Sequence, residues 1–401
     1  MKKLLVLVVI ILFITGCKKE HDTPSSSKRL DDKNLQNVPK CGNDLNPEFA
    51  TKMMKARRSR DEQEIVSQRE PKDTPDPTLS PTVILVDADG HTLENTIWNW
   101  DGPLHCRTAA LTPDQMNAIV KSVTEDFSTF DVVVTDDENV YNKAPKGKRV
   151  RVIVTTHEGL ENFFPNFGGY AFIGSLWWGD DTPCFVFADA FAGNALNIAE
   201  VVSHEAGHTI GLAHQSEFSF DGRFLFEYHR GFFSQPWNLS WKPIMGVSYN
   251  SNISGWMWGR NLGGLQDDTK ILSAVGSKND EMPALGSGAE EIKVNGSGKA
   301  AAVTGLMNHR NDIDYYFIKS GDIAFSVVGG GNTDLTVIVY DHNEQLIAEY
   351  NDHDNLGISE KTINTKGNRI YIKVLVNGLL IGDVSSEMQF AGQYTLLVNK
   401  I

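Results

Sequence analysis

One run of the chain concentrates its chemistry. It reads His204-Glu205-Ala206-Gly207-His208-Thr209-Ile210-Gly211-Leu212-Ala213-His214. Residues four apart on a helix stack on one face, so the His204 and His208 rings can close on a single metal ion. Glu205, beside the first histidine, is placed to act as general base toward a water held by that ion. On the same straight helix His214 would point elsewhere, so the chain must turn before it. Gly211 supplies the turn, since it reaches positive φ without a Cβ penalty. His214 then folds back and completes a three-nitrogen set with an open fourth position, the feature that separates catalytic from structural zinc.

The elements that would carry this set can be read from periodicity. Asn194 can cap a helix, and Ala199, Val202, Ala206 and Ile210 form its apolar stripe, which predicts a helix from about 195 to 209. A second amphipathic helix opens at Thr112-Pro113, with Thr112 as N-cap and Pro113 in the first helical position. Strand-like runs surround it at 83–86, 130–135, 149–155, 170–176 and 184–188. The pattern predicts an α/β layer structure. After about Val275 helical periodicity ends, and short alternating strands recur at 315–319, 324–328, 335–340, 346–350, 369–376 and 393–398. Asn, Asp and Gly turns separate them, which predicts a small antiparallel sandwich.

The eleven-residue run matches the metzincin zinc-protease signature, and a second stretch extends the resemblance. Trp241-Lys242-Pro243-Ile244-Met245-Gly246-Val247-Ser248-Tyr249 resembles a metzincin Met-turn, in which Met245 would form a hydrophobic base beneath the metal. Tyr249 lies four residues after Met245, not two, and is read as a core or wall residue. The resemblance, of reprolysin or pappalysin flavour, implies an α/β (α+β) catalytic domain with a twisted mixed sheet and an active-site helix. It implies one catalytic Zn2+ held by His204, His208 and His214, with Glu205 as the catalytic base acting on protein or peptide substrates. It also implies an edge strand that holds extended substrate, assigned to Gly174–Trp177. Asn311-Asp312-Ile313-Asp314-Tyr315-Tyr316-Phe317 and Asp334-Leu335-Thr336-Val337 resemble the bacterial pre-peptidase C-terminal domain, an all-β sandwich. Asp312 and Asp314 could bind Ca2+ there, against the simpler reading of a turn entering a strand. Gln266-Asp267-Asp268 reads as the cap of a helix from Thr269 to Val275, and His157, His229 and His309 as ordinary surface or loop residues.

The four cysteines sit in unlike contexts. Met1-Lys2-Lys3 precedes an unbroken apolar run, Leu4 to Ile14, which is too short to span a bilayer and reads as a signal peptide. Ile14-Thr15-Gly16-Cys17 resembles a bacterial lipobox, so residues 1–17 would be a lipoprotein signal with Cys17 the acylated anchor. Lys18 after the cysteine points to the outer membrane. Residues 18–81 read as tether, pro-segment and proline-rich linker, and include a basic cluster at Arg57–Arg60. Val38-Pro39-Lys40-Cys41-Gly42-Asn43-Asp44 resembles a matrix-metalloprotease cysteine switch, with Cys41 as fourth zinc ligand of a latent form. The alternative for Cys41 is a plain tether cysteine. Cys106 and Cys184, both inside the catalytic region of an exported chain, are expected to form a structural disulfide, with two buried free thiols as the alternative.

With 37 basic against 51 acidic side chains the net charge is −14, which argues against a nucleic-acid partner. The sequence therefore predicts a protease domain over 82–278 and a sandwich over 290–401, in a membrane-anchored zymogen. A surface adhesin or glycan-binding lipoprotein with an inactive protease-like domain is the alternative. Oligomeric state is open.

Overall fold

A computed structural model describes the backbone of Lys40–Cys41 and residues 80–401, apart from 100–101, 162, 165–166, 235–238, 279–287, 295–300, 309–311, 320, 331, 352–356, 365–366, 377–386 and 389–391. Cys17, the signal segment, the basic cluster and His309 lie outside the described residues. The fold is mixed α/β, with many strands and few helices.

Six strands form the first sheet: β1 (Lys40–Cys41), β2 (Thr82–Asp87), β3 (Val132–Thr135), β4 (Arg149–Thr155), β5 (Phe167–Tyr170) and β6 (Cys184–Phe187). Their order is β1-β5-β6-β4-β2-β3. Strands β2, β3, β4 and β6 run parallel, β5 runs antiparallel to β6, and β1 lies parallel to β5. The inner strands are apolar on both faces, as parallel strands covered on both sides must be: every residue of β2 and of β6 is buried. Helices α1 (Pro113–Asp126) and α2 (Ala195–Ile210) cover one face. There Ile119, Val123, Ile198 and Val202 meet Ile84, Val152, Cys184 and Val186. Aromatics cover the other, where Trp98, Phe164 and Tyr170 pack on Phe185 and Phe187. Thr112 closes a reciprocal capping box with Gln115 at the start of α1, and Asp267 caps the short helix Asp268–Leu272.

Two sequence readings are corrected here. Gly174–Trp177 is not an edge strand. Gly174 takes φ 76°, and Ser175–Trp178 winds into a short 3₁₀ helix, so the strand ends at Tyr170. The edge belongs to β5, with β1 on its outer side. Cys106 and Cys184 form no disulfide and are free, buried thiols. Side chains alternate across a strand, which sends Cys184 to the helix-covered face while Cys106 packs in the aromatic cluster on the opposite face. Burial, with the charge of Asp87, pushes the Cys106 thiol up to about 12, and burial raises Cys184 well above its usual range.

The C-terminal strands form a sandwich. One sheet has Ile313–Ile318, Ile370–Val376 and Leu335–Tyr340 at its centre, and the other places Gly392–Lys400 beside Ile323–Gly329. Tyr316, Phe325, Val337, Ile372 and Leu396 share the space between. Trp241, Ile253 and Met257, from the segment after the histidine run, belong to this same core. The α1 end also plugs into the sandwich. The Glu125 carboxylate accepts from Gln393 N at 3.1 Å, and a Cβ on Gly330 or Gly392 would lie 2.2 or 2.6 Å from it. Asn332 Nδ2 donates to Asp126 at 2.6 Å, and the same buried carboxylate accepts from Ser203 Oγ on α2.

Asn332→Ala should therefore strip a donor from a fully enclosed carboxylate and destabilise the protein by about 1–3 kcal/mol. Denaturant unfolding of the two forms measures it. An unchanged midpoint would show that the Asn332–Asp126 contact carries no stability.

Candidate metal centre

Helix α2 opens on Asn194, whose side chain accepts from Asn197 N at 3.1 Å, and closes on Gly211 at φ 141°. Gly211 N and Leu212 N both donate to Gly207 O, at 3.1 and 3.0 Å, and the chain reverses. That reversal returns His214 to the face of His204 and His208. The ligand-capable atoms of the three lie within 4.8 Å of one another. Among the described residues this is the one group of three or more His, Cys, Asp or Glu side chains so arranged. It could hold a metal ion.

Hydrogen bonds on the far side of each ring fix its tautomer. His204 Nδ1 donates to Ile244 O at 2.7 Å and His208 Nδ1 donates to Leu212 O at 2.7 Å. His214 Nδ1 meets Glu227 Oε1 at 3.0 Å. In a neutral imidazole whose Nδ1 carries the proton, Nε2 is a lone-pair acceptor. His204 Nε2 and His208 Nε2 then face each other across 3.1 Å, acceptor to acceptor. His214 Nε2 is buried with no hydrogen-bond partner. A cation between these nitrogens resolves both conditions, so the donor set fits a metal. Burial, with the neighbouring His214, pushes His204 down to about 3, and burial holds His208 well below the usual imidazole range. Neutral rings are the form that ligates.

Met245 lies under the helix and is fully buried. Its Sδ would be 3.0 Å from a Cβ on Gly207, so the missing side chain lets the helix settle on the turn. Gly246 N donates to Pro243 O at 2.9 Å, which closes that turn, and Gln215 N donates to Met245 O at 2.7 Å. One turn thus supplies both the Met245 side chain and the carbonyl that orients His204. Glu205 is fully buried, on the side of edge strand β5. A Cβ on Gly169 would lie 2.4 Å from Glu205 Oε1, so only glycine fits opposite the carboxylate. Gly169 is also the residue with which the Cys41 backbone pairs.

The sequence reading missed Glu227 and Tyr228, whose ring centroid is 4.3 Å from that of His214. A two-stranded ribbon, Glu217–Phe218 against Phe224–Phe226, carries them back to the third histidine. No periodicity marks them, although the hairpin itself is announced by Asp221-Gly222 between aromatic runs. Tyr249 packs on Phe191 at 5.1 Å between centroids, as a wall residue. His229 is buried, not a surface residue: its Nδ1 accepts from Gly231 N at 3.0 Å and its carbonyl accepts from Val247 N at 3.0 Å. His157 pairs with Asp189 and stacks on Phe187. Asp312 accepts from Asn308 N and Ile313 N, both near 2.9 Å, and Asp314 takes the Tyr394 hydroxyl.

No protein-family model matches the chain, and no curated protein matches it. Among solved structures, the pre-peptidase C-terminal domain of a Bacillus anthracis collagenase is 18% identical, covering 30% of this chain and 100% of its own, with a TM-score of 0.20. Myroilysin is 12% identical over 52% of this chain and 83% of its own, with a TM-score of 0.24. A periplasmic lysozyme inhibitor of Aeromonas hydrophila is 13% identical over 28% and 94%, with a TM-score of 0.20.

Glu227 holds the ring of His214 through Nδ1, and loss of such a carboxylate costs about 10- to 100-fold in metal affinity. Glu227→Gln should weaken zinc binding by that factor, measured by competition with a chromophoric chelator. Equal affinity would remove Glu227 from the metal's support.

Proposed function

We propose that this chain is a zinc metalloendopeptidase of the metzincin type, exported as a lipid-anchored latent precursor. The observation that carries the reading is the convergence of three imidazoles, each oriented from behind, beside a buried glutamate that faces strand β5. An all-imidazole set of three suits zinc. When bound, zinc supplies a Lewis acid for the scissile carbonyl and lowers the pKa of a water to near 7.

The chain's own groups do the remainder. Glu205 takes a proton at its carboxylate as water attacks and passes it to the departing amine nitrogen, so the products leave as carboxylic acid and amine. Its enclosure against Gly169 keeps that carboxylate beside the edge where an extended peptide would lie. The β5 edge would offer that peptide main-chain hydrogen bonds. Met245 and Ile244, on one tight turn, hold the helix and the first ring in register.

The place of β1 supports a latent form. Lys40–Cys41 takes the outer side of β5, so a pro-segment there would fill the substrate's place. In this reading the Cys41 thiolate closes the fourth metal position until the segment between residues 18 and 81 is cut, and Cys17 tethers the whole to the outer membrane. The sandwich over 290–401 is a pre-peptidase C-terminal-like unit joined to the catalytic core.

Protein freed of residues before Ser80 and loaded with one zinc per chain should cleave a mixed peptide library, lose activity to chelator and regain it with zinc. Glu205→Gln should lower kcat/KM by about 10²- to 10⁴-fold with zinc still bound. In the full-length protein, Cys41→Ala should give activity without processing. Stoichiometric zinc with no cleavage of any library member would overturn the enzyme reading, and persistent latency of the Cys41 variant would overturn the switch alone.

A further inference from the structure

Behind the active-site helix lies a cavity of about 460 Å³ that the chemistry above does not use. It opens between α1, the first turns of α2, the loop after the Met245 turn, and Gly330 and Asn332 of the sandwich. Its lining includes the carboxylates of Glu125 and Glu200 against one ammonium, Lys121, with neutral amides and hydroxyls such as Asn252 and Ser251. Glu200 is the informative group. Its Oε1 accepts from Ser254 Oγ at 2.7 Å and the Ser248 hydroxyl also lies against the carboxyl, while its Oε2 is buried with no hydrogen bond of good geometry. Lys242, whose field reaches it, donates its ammonium hydrogen to Tyr249 O instead. Burial pushes Glu200 up to about 7, and burial also raises the neighbouring Glu125. Lys242 offsets only part of that burial, so a second cation placed directly beside the carboxylate would stabilise its charged form.

The size of the space discriminates between cations. A bare metal ion would fill a small part of it, and among the described residues no group of three carboxylates closes on one point there to hold one. The volume lies in the range of small-molecule sites. The amide and hydroxyl oxygens around the rim can accept the several N–H groups that an organic cation presents.

We propose that this junction cavity binds an organic cation, an ammonium or guanidinium on an aliphatic stem, with Glu200 as its counter-ion. Two sources share that chemistry, a free amine or guanidine and the Lys or Arg side chain of a peptide. Because its walls come from α2 and from the sandwich, an occupant bridges the two and stabilises their joined state by mass action.

The test is calorimetric titration and thermal shift of the full chain with n-butylammonium, ethylguanidinium and an acetylated, amidated Ser-Arg-Ser peptide, beside the uncharged N-butylurea and CaCl2. Saturable binding of at least one cation, a rise in Tm, and no response to N-butylurea are expected. Tighter binding of the peptide than of ethylguanidinium assigns the site to basic side chains, and the reverse assigns it to free small molecules. Glu200→Gln should weaken cation binding at least tenfold. Asn252→Asp, which keeps the acceptor toward Ser240 and adds a charge to the wall, should tighten it. Equal binding by the Glu200 variant, binding of the urea as strong as that of the cations, a response to Ca2+ in place of the organic cations, or no saturable binding would each overturn the proposal. The readout is binding, so it is decided apart from peptide hydrolysis.

Discussion

Everything at the centre of this molecule depends on three protons being kept away from one small volume. Each imidazole spends its single N–H on an oxygen behind it: Ile244 O for His204, Leu212 O for His208 and the Glu227 carboxylate for His214. Three lone pairs are thereby turned inward, with two of them 3.1 Å apart. Lone pairs at that distance repel unless a cation sits between them, and burial prevents the rings from relieving the repulsion by protonation. The three oxygens come from three places: a tight turn, the reversal after α2 and the residue that follows a hairpin strand. The fold between Leu212 and Met245 can be understood as the means of delivering them.

That delivery is also why the site was only partly legible in the sequence. His204 and His208 share a helical face by spacing alone, and the need for Gly211 follows from the position of His214. The N-caps at Asn194, Thr112 and Asp267 were readable for the same reason, since capping is a local matter of one side chain and the next turn. Glu227 and Tyr228 were not readable. They reach His214 through a hairpin whose register is set by cross-strand packing, and neither falls at a position that local periodicity marks. The mistaken edge strand has a local cause too. Residues 170–176 look strand-forming by composition, but Gly174 in the left-handed region breaks the run and turns it into a 3₁₀ helix. The paired cysteines failed on a non-local fact, the two faces of one sheet.

The sandwich departs from the picture of an appended module. Its core includes Trp241, Ile253 and Met257 from the stretch that frames Met245, and the end of α1 is seated between its glycines. Asp126 gathers Ser203 from α2 and Asn332 from the sandwich on one carboxylate, while its carbonyl accepts Trp256 Nε1 at 2.6 Å. Burial, with the nearby charge of Glu200, raises that carboxyl well above its usual range, against the two donors that lower it. Composition changes sharply near residue 275, so the sequence suggests a boundary there, while the hydrophobic core runs across it.

The pairing of Lys40–Cys41 with β5 has a consequence for kinetics. An edge strand offers one row of donors and acceptors, so a second strand can join only when the first has left. A strand tethered to its own sheet competes at an effective concentration of the order of millimolar, set by the length and stiffness of the connecting chain. In the latent form proposed above, a peptide arriving from solution at micromolar levels would lose that competition even if its own contacts were as good. Cutting the tether anywhere between Cys41 and Thr82 would dilute the competitor to the concentration of the protein itself, without disturbing a single contact at the edge. The position of the cut would then matter less than its occurrence.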